Sequence, residues 1–307
     1  MKYIILVGSL LIASAALSQD TDSYSQTEII YGRKDGMALT MTVITPKKAN
    51  GKAIVSLISG GWVSNFDWQN SYLKRSLPFV NSGYTVFLTI HSSAPRYAIP
   101  DAFEDVQRAI QFVRSNASIY HIDKDYIGIT GASSGGHLAL LAATANDIIN
   151  VSSKNPIEKV SSKVQAVAVF FPLADFLNFG QAGFNPSNKT ELLEEMGVVG
   201  AFQYTKWDSI TNTYKVIQDK DERSRIDSLM SPAEMVTSDD APAYLIHGDK
   251  DDVVPLQQSQ LMEQKLRAAG VVVKLTVKEG AAHGWKNEID DEKEFIKWFD
   301  KYLKVSK

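Results

Sequence analysis

Residues 131–136 read Gly131-Ala132-Ser133-Ser134-Gly135-Gly136. The Gly-x-Ser-x-Gly match is weak by itself, and its flanks are what give it weight. Tyr126–Thr130 upstream is short, apolar and β-favouring, and the run from His137 downstream is rich in Leu and Ala and favours a helix. Strand, sharp turn and helix form the setting in which such a motif holds a serine, here Ser133, exposed at the apex as a nucleophile. Glycine at 131 and 135 suits the crossing of strand and helix, where a Cβ would crowd.

A serine hydroxyl needs a general base, and the base needs an orienting carboxylate. The five histidines are 91, 121, 137, 247 and 283. In open α/β sheets chemistry gathers at the carboxyl ends of the strands, so the base is expected after a late strand. His283 fits, because it lies in a small-residue loop between the β-favouring run Val271–Val277 and the last helical pattern. His247 ends a strand and reads as structural, His137 sits on the helix after the turn, and His91 and His121 lie in loops. The carboxylate is expected between Ser and His in chain order, where Asp249, Asp251 and Asp252 are all available. An oxyanion needs N–H donors. One is expected from Ser134, and others from Gly60 and Gly61 in the loop Ile58-Ser59-Gly60-Gly61-Trp62. Trp62, Phe66 and Trp68 follow, and their spacing suits either a substrate pocket or the core.

The elements that must position these residues alternate. Strands are expected near Glu28–Gly32, Ala38–Ile44, Ala53–Ile58, Tyr84–Ile90, Tyr126–Thr130, Gln165–Phe171, Ala243–His247 and Val271–Val277. The turn Arg33–Gly36 makes the first two an antiparallel hairpin. The later runs are more continuously apolar, as strands buried on both faces should be. Helical spacing appears over Asp101–Ala117, Leu256–Ala269 and Asp291–Leu303. The pattern predicts an α/β fold, an eight-stranded, mostly parallel sheet with helices on both faces. Residues 174–231 break the alternation, without a convincing strand and with short helical pieces such as Thr190–Met196 and Tyr214–Asp219. Their length and aromatic content predict a lid or partial cap rather than a passive loop.

The chain has 307 residues, 44% hydrophobic and 22% charged, with a formal charge of −3, values that suit one sizeable α/β domain. No Lys/Arg run or zinc-type spacing supports nucleic-acid binding. Zero cysteines exclude disulfides, a lipoprotein anchor and a thiol nucleophile. Lys2, the apolar Tyr3–Ala16 stretch and Ala16-Leu17-Ser18 predict a signal peptide over 1–18. A mobile tail is then expected over 19–27, a hydrolase domain over 28–307, and a secreted or periplasmic protein free of the membrane after cleavage.

With these residues assembled, the chain resembles the α/β-hydrolase superfamily from about Glu28 to Leu303, and within it the hormone-sensitive-lipase-like and feruloyl/acetyl-esterase-like carboxylesterases. The Gly-x-Ser-x-Gly-Gly-His motif matches Gly131–His137. Asp-x-x-Val-Pro after a His-Gly pair matches Asp251–Pro255, which selects Asp251. Gly-x-His-Gly matches Ala281–Gly284 except at its first place. The His-Gly-Gly-Gly-Trp motif falls on Ile58–Trp62, so its histidine and first glycine are absent here. Another departure is His91-Ser-Ser-Ala-Pro-Arg96-Tyr97, where many relatives have Tyr-Arg-Leu-Ala-Pro.

The resemblance implies a carboxylesterase with a Ser133–Asp251–His283 triad, needing no metal or cofactor. Its expected substrates are small-molecule or carbohydrate-linked esters with small or aromatic acyl groups. An exopeptidase or amidase using the same triad, and a non-catalytic binding protein on the same fold, are the alternatives.

Overall fold

The structure, a computed structural model, describes residues 18–20 and 23–304, with side chains over 23–304. Nearly all of the expected signal peptide therefore lies outside the described residues. In chain order the elements begin β1 (Ser18–Asp20), β2 (Tyr24–Lys34), β3 (Met37–Pro46), β4 (Ala53–Ile58), α1 (Gln69–Asn81), β5 (Thr85–Ile90) and α2 (Ile99–Ser115). There follow β6 (Ile127–Ala132), α3 (Ser134–Thr144), β7 (Ala166–Phe170), α4 (Thr190–Glu195), β8 (Thr205–Asp208), β9 (Thr213–Val216) and α5 (Lys220–Leu229). The chain closes with β10 (Ala243–Gly248), α6 (Gln257–Ala268), β11 (Val273–Lys278) and α7 (Glu288–Tyr302).

All eight expected strands are present in one sheet of order β1-β2-β3-β5-β4-β6-β7-β10-β11, the short β1 adding a ninth at the edge. From β5 to β11 the pairings are parallel, while β1 to β3, and β3 with β5, pair antiparallel. Every residue of β4, β6, β7 and β10 is buried, which is why these runs read as continuously apolar. Two cores flank the sheet. Phe79, Phe295 and Phe299 of α1 and α7 pack on one face, and Val106, Ile110, Leu140 and Met262 of α2, α3 and α6 on the other.

The connection reverses after β4. The chain runs through α1 to β5 on one side of β4 and then returns to β6 on the other. The carboxyl ends of β4 and β6 thus open on the crevice where such sheets place their ligands.

Three expectations need correcting. The mobile tail over 19–27 is partly strand, since β2 begins at Tyr24 and pairs through Pro46. The insertion does contain strands, because β8 and β9 form an antiparallel hairpin. Tyr214–Asp219 is not helical: its first half lies in β9, and Asp219 caps α5 by accepting the Glu222 N–H. Each of these strands is short and exposed on nearly every residue, so neither carries the apolar signature of a core strand.

Candidate active site

Ser133 is the single residue between β6 and α3, the N-cap of the helix, at φ 54° and ψ −122°. That conformation is strained for a residue with a Cβ, by about 1–3 kcal/mol. Its N–H donates to Phe170 O at 3.0 Å and its C=O accepts the His137 N–H at 2.8 Å, so both sides of the turn are fixed. A Cβ on Gly131 would come within 2.5 Å of the Gly135 carbonyl, which explains why glycine sits where strand and helix cross.

His283, after β11, and Asp251, after β10, converge on this turn. His283 Nε2 lies 2.9 Å from Ser133 Oγ, and Nδ1 lies 2.7 Å from Asp251 Oδ2. With the Nδ1 proton directed at the carboxylate, Nε2 is left to accept the serine proton. The Phe171 ring stands 4.5 Å from the imidazole. Asp251 Oδ1 accepts the N–H groups of Val253 and Val254. His247 Nε2 lies 3.2 Å from Asp251 Oδ2 and also meets Val254 O, while Nδ1 meets Ser259 Oγ. Burial pushes the Asp251 carboxyl up, but the hydrogen bonds from His247, His283 and Val254 outweigh it and hold the group well below the usual carboxylate range. His247 is thus a brace for the carboxylate, in line with its structural reading. Of the other two aspartates, Asp249 caps Gly280 N–H, and Asp252 lies at the cavity wall.

After β4, Gly60 and Val63 exchange two backbone hydrogen bonds, with Gly61 at φ 56° and Trp62 at φ 58° between them. Positive φ at both central residues is what a type I′ turn requires. Trp62 is held there by its Nε1–H bond to His137 Nδ1 at 3.1 Å and by edge contacts with Phe176 and Phe202. The turn corrects one expectation: the Gly60 N–H donates to Val63 O and is not free for an oxyanion. The N–H groups of Gly61 and Ser134 make no hydrogen bond among the described residues, and both residues border the cavity beside Ser133.

That cavity measures about 840 Å³. The insertion supplies an apolar wall of Phe179, Leu192, Met196 and Val198, and Tyr72, Arg75, Glu195, Asp252 and Glu288 supply polar groups. Trp62 lines it, but Phe66 and Trp68 do not. They fall on a single helical turn that carries Phe66 out to solvent and lays the tip of the half-buried Trp68 ring against Gly60, outside the cavity. The sequence pointed to neither Arg75 nor Glu288, because α1 and the start of α7 reach the site only through the folded sheet. His137 is buried, accepts from Trp62 and donates from Nε2 to Met230 O, and burial lowers its pKa to about 4. His121 is exposed, and His91 is buried with Nε2 2.9 Å from Ser59 Oγ. No group of three or more His, Asp and Glu side chains able to hold a metal occurs among the described residues.

A family model described as BD-FAE matches residues 41–266. Esterase LipQ of Mycobacterium tuberculosis is 30% identical over 218 residues, covering 71% of this chain and 46% of that protein. The probable carboxylic ester hydrolase LipM of the same organism is 33% identical over 175 residues, covering 57% and 35% respectively. The chain spans less than half the length of either relative. A solved structure described as a truncated form of carbohydrate esterase from gut microbiota shares 26% identity at a TM-score of 0.70, covering 93% of this chain and 99% of that one. The propionate-bound Est2 esterase of Thermogutta terrifontis shares the fold at a TM-score of 0.66 and 21% identity, covering 90% and 92%.

Proposed function

This chain belongs to the BD-FAE family and carries the α/β-hydrolase fold, and on that premise we propose that it is a serine carboxylesterase acting through an acyl-enzyme. The observation that carries the reading is the continuous line from Ser133 Oγ through His283 to Asp251, at 2.9 and 2.7 Å, on a strained turn that faces the cavity. Ser133 Oγ attacks the ester carbonyl as its proton passes to His283 Nε2, and the Asp251 carboxylate stabilises the imidazolium that results. The amides of Gly61 and Ser134 receive the negative oxygen. Collapse expels the alcohol, which takes the proton from His283. Water then repeats the sequence against the acyl-serine and releases the acid.

Small or aromatic acyl esters are the proposed substrates, including acetyl or feruloyl groups carried on plant polysaccharides. The apolar wall of the insertion supports an acyl site, and the naming of one structural relative as a carbohydrate esterase supports the alcohol. Export to a periplasm or beyond the cell is part of the proposal, supported by Lys2 and the apolar Tyr3–Ala16 stretch.

The test is hydrolysis of p-nitrophenyl acetate, butyrate and octanoate and of methyl ferulate by wild type and Ser133→Ala. Wild-type turnover that drops about ten-thousandfold in the variant is expected. Near-normal turnover by Ser133→Ala would end the assignment. Intact mass of the protein recovered from an exporting host reports whether the chain is cut near Ser18, and an uncut chain counts against export.

A further inference from the structure

The residue that replaces the missing motif glycine, Ser59, sits at the centre of a buried hydrogen-bond chain. Its Oγ lies 3.0 Å from Ser134 Oγ and 2.9 Å from His91 Nε2, and His91 Nδ1 lies 2.7 Å from Ser92 O. Ser59, Ser134 and His91 are each 3% exposed or less. The direction of the chain follows from one acceptor. A carbonyl oxygen can only accept, so His91 carries its proton on Nδ1 and its Nε2 accepts in the neutral ring. Ser59 therefore donates to His91, and Ser134 donates to Ser59.

The Ser59 peptide is held as well. Tyr72 Oη donates to Ser59 O at 3.0 Å and lies 3.3 Å from Ser59 N. The loop after β5 is tied to the same turn, with Ser64 Oγ donating to Ile58 O and Ser93 Oγ accepting the Ser64 N–H. Position 58 carries no imidazole, and the ring that reaches Ser59 comes from a different loop, the one after β5.

We propose that Ser59 and His91 are positioning residues that lock the Gly61 turn to the Ser133 elbow, so that the amides of Gly61 and Ser134 converge on one oxygen. The two amides belong to the turn after β4 and the elbow after β6, and the Ser59–Ser134 bond joins these directly beside the donors, with the Trp62–His137 bond a second side-chain link further along α3. Without the Ser59–Ser134 bond the separation of the donors relaxes, and oxyanion stabilisation depends on donors fixed in advance. This role rests on the esterase reading of the same site.

The variants are Ser59→Ala, His91→Leu and His91→Gln, whose Oε1 can still accept the Ser59 proton. Three quantities are read: kcat and KM for p-nitrophenyl butyrate, the rate at which a neutral p-nitrophenyl alkylphosphonate modifies Ser133 by intact mass, and the melting temperature. The phosphonyl oxygen uses the same donors, so this rate reports on them even where no ester is turned over. Ser59→Ala and His91→Leu are expected to lower kcat and the phosphonylation rate together by about 10- to 100-fold, with KM nearly unchanged and His91→Gln recovering most of the loss. Unchanged kcat and phosphonylation in folded Ser59→Ala overturn the proposal. So does a loss carried by KM that His91→Gln fails to relieve. Absence of ester turnover by wild type, with phosphonylation still dependent on Ser59, overturns the substrate reading and leaves the positioning role standing.

Discussion

Ser133 is held at a positive φ by bonds on both sides, and the glycine two residues before it is the least replaceable feature of the turn. A Cβ at Gly131 meets the Gly135 carbonyl carbon and oxygen, both main-chain atoms of the helix that follows Ser133. Backbone cannot rotate away as a side chain can, so the clash has to move α3 relative to β6. Gly131→Ala is expected to destabilise by about 3 kcal/mol and to lower Ser133 reactivity with it, read from chemical denaturation and phosphonate labelling of one preparation. A stable variant with normal labelling would show that the elbow tolerates the extra atom. At this scale much was legible: Ser133 and His283 follow from motif, context and strand order, whereas Asp251 needed the family resemblance to be separated from its two neighbours. The Gly60 amide was misread because the type I′ turn depends on φ values at Gly61 and Trp62. An aromatic residue in a left-handed conformation has no sequence signal, since tertiary contacts hold it there.

Helices α1 and α7 pack against each other over the same face of the sheet, and their contact encloses a carboxyl group. Glu292 is 4% exposed, its Oε1 lies 3.7 Å from Arg75, and its Oε2 has no hydrogen-bond partner among the described residues. Burial pushes its pKa up to about 8; Arg75 opposes the shift, and Glu288 and Asp291 add to it. The unfolded chain loses this proton near the ordinary glutamate value, about 4.3, while the native state keeps it until about 8. Stability from this group is therefore complete below the lower value and drains away as pH rises through the interval, by a few kcal/mol at most. Glu292→Gln, neutral at every pH, is expected to melt above wild type at pH 9, with the difference shrinking towards zero at pH 5. A difference independent of pH would mean that Glu292 is ionised in the native protein throughout. The sequence showed α7 through Phe295, Trp298 and Phe299 but gave no sign of α1. Pro78 lies inside α1, and only Ser76, Phe79 and Val80 of its residues are buried, which leaves almost no periodic signal. The β8–β9 hairpin escaped notice because its side chains point mostly to solvent.

The whole molecule joins a sheet that supplies the reacting groups to an insertion that supplies much of the cavity wall. The insertion is a built unit. Asp227 accepts from Tyr204, Ser187 and Asn185 in its interior, and the main chain at Met230 receives the His137 ring from the elbow helix. Charge at the mouth is then fixed by which groups this arrangement leaves facing the cavity. Arg75 is the cation there, and Glu288 is hydrogen-bonded to it, which leaves Glu195 and Asp252 as carboxylates without a matching cation in the wall. The chain as a whole is also negative, at −3. A substrate carrying a carboxylate approaches against this field and finds Arg75 already engaged. The monosuccinate ester of p-nitrophenol should therefore show a kcat/KM about tenfold below that of the butyrate at low salt. The gap should narrow as salt shortens the screening length to about 10 Å at 0.1 M, and Glu195→Gln with Asp252→Asn should narrow it without salt. A succinate ester turned over faster than the butyrate at low ionic strength would mean that Arg75 leaves Glu288 to bind the substrate carboxylate. In that event the ion pair at the junction of α1 and α7 is a recognition element rather than a structural clasp.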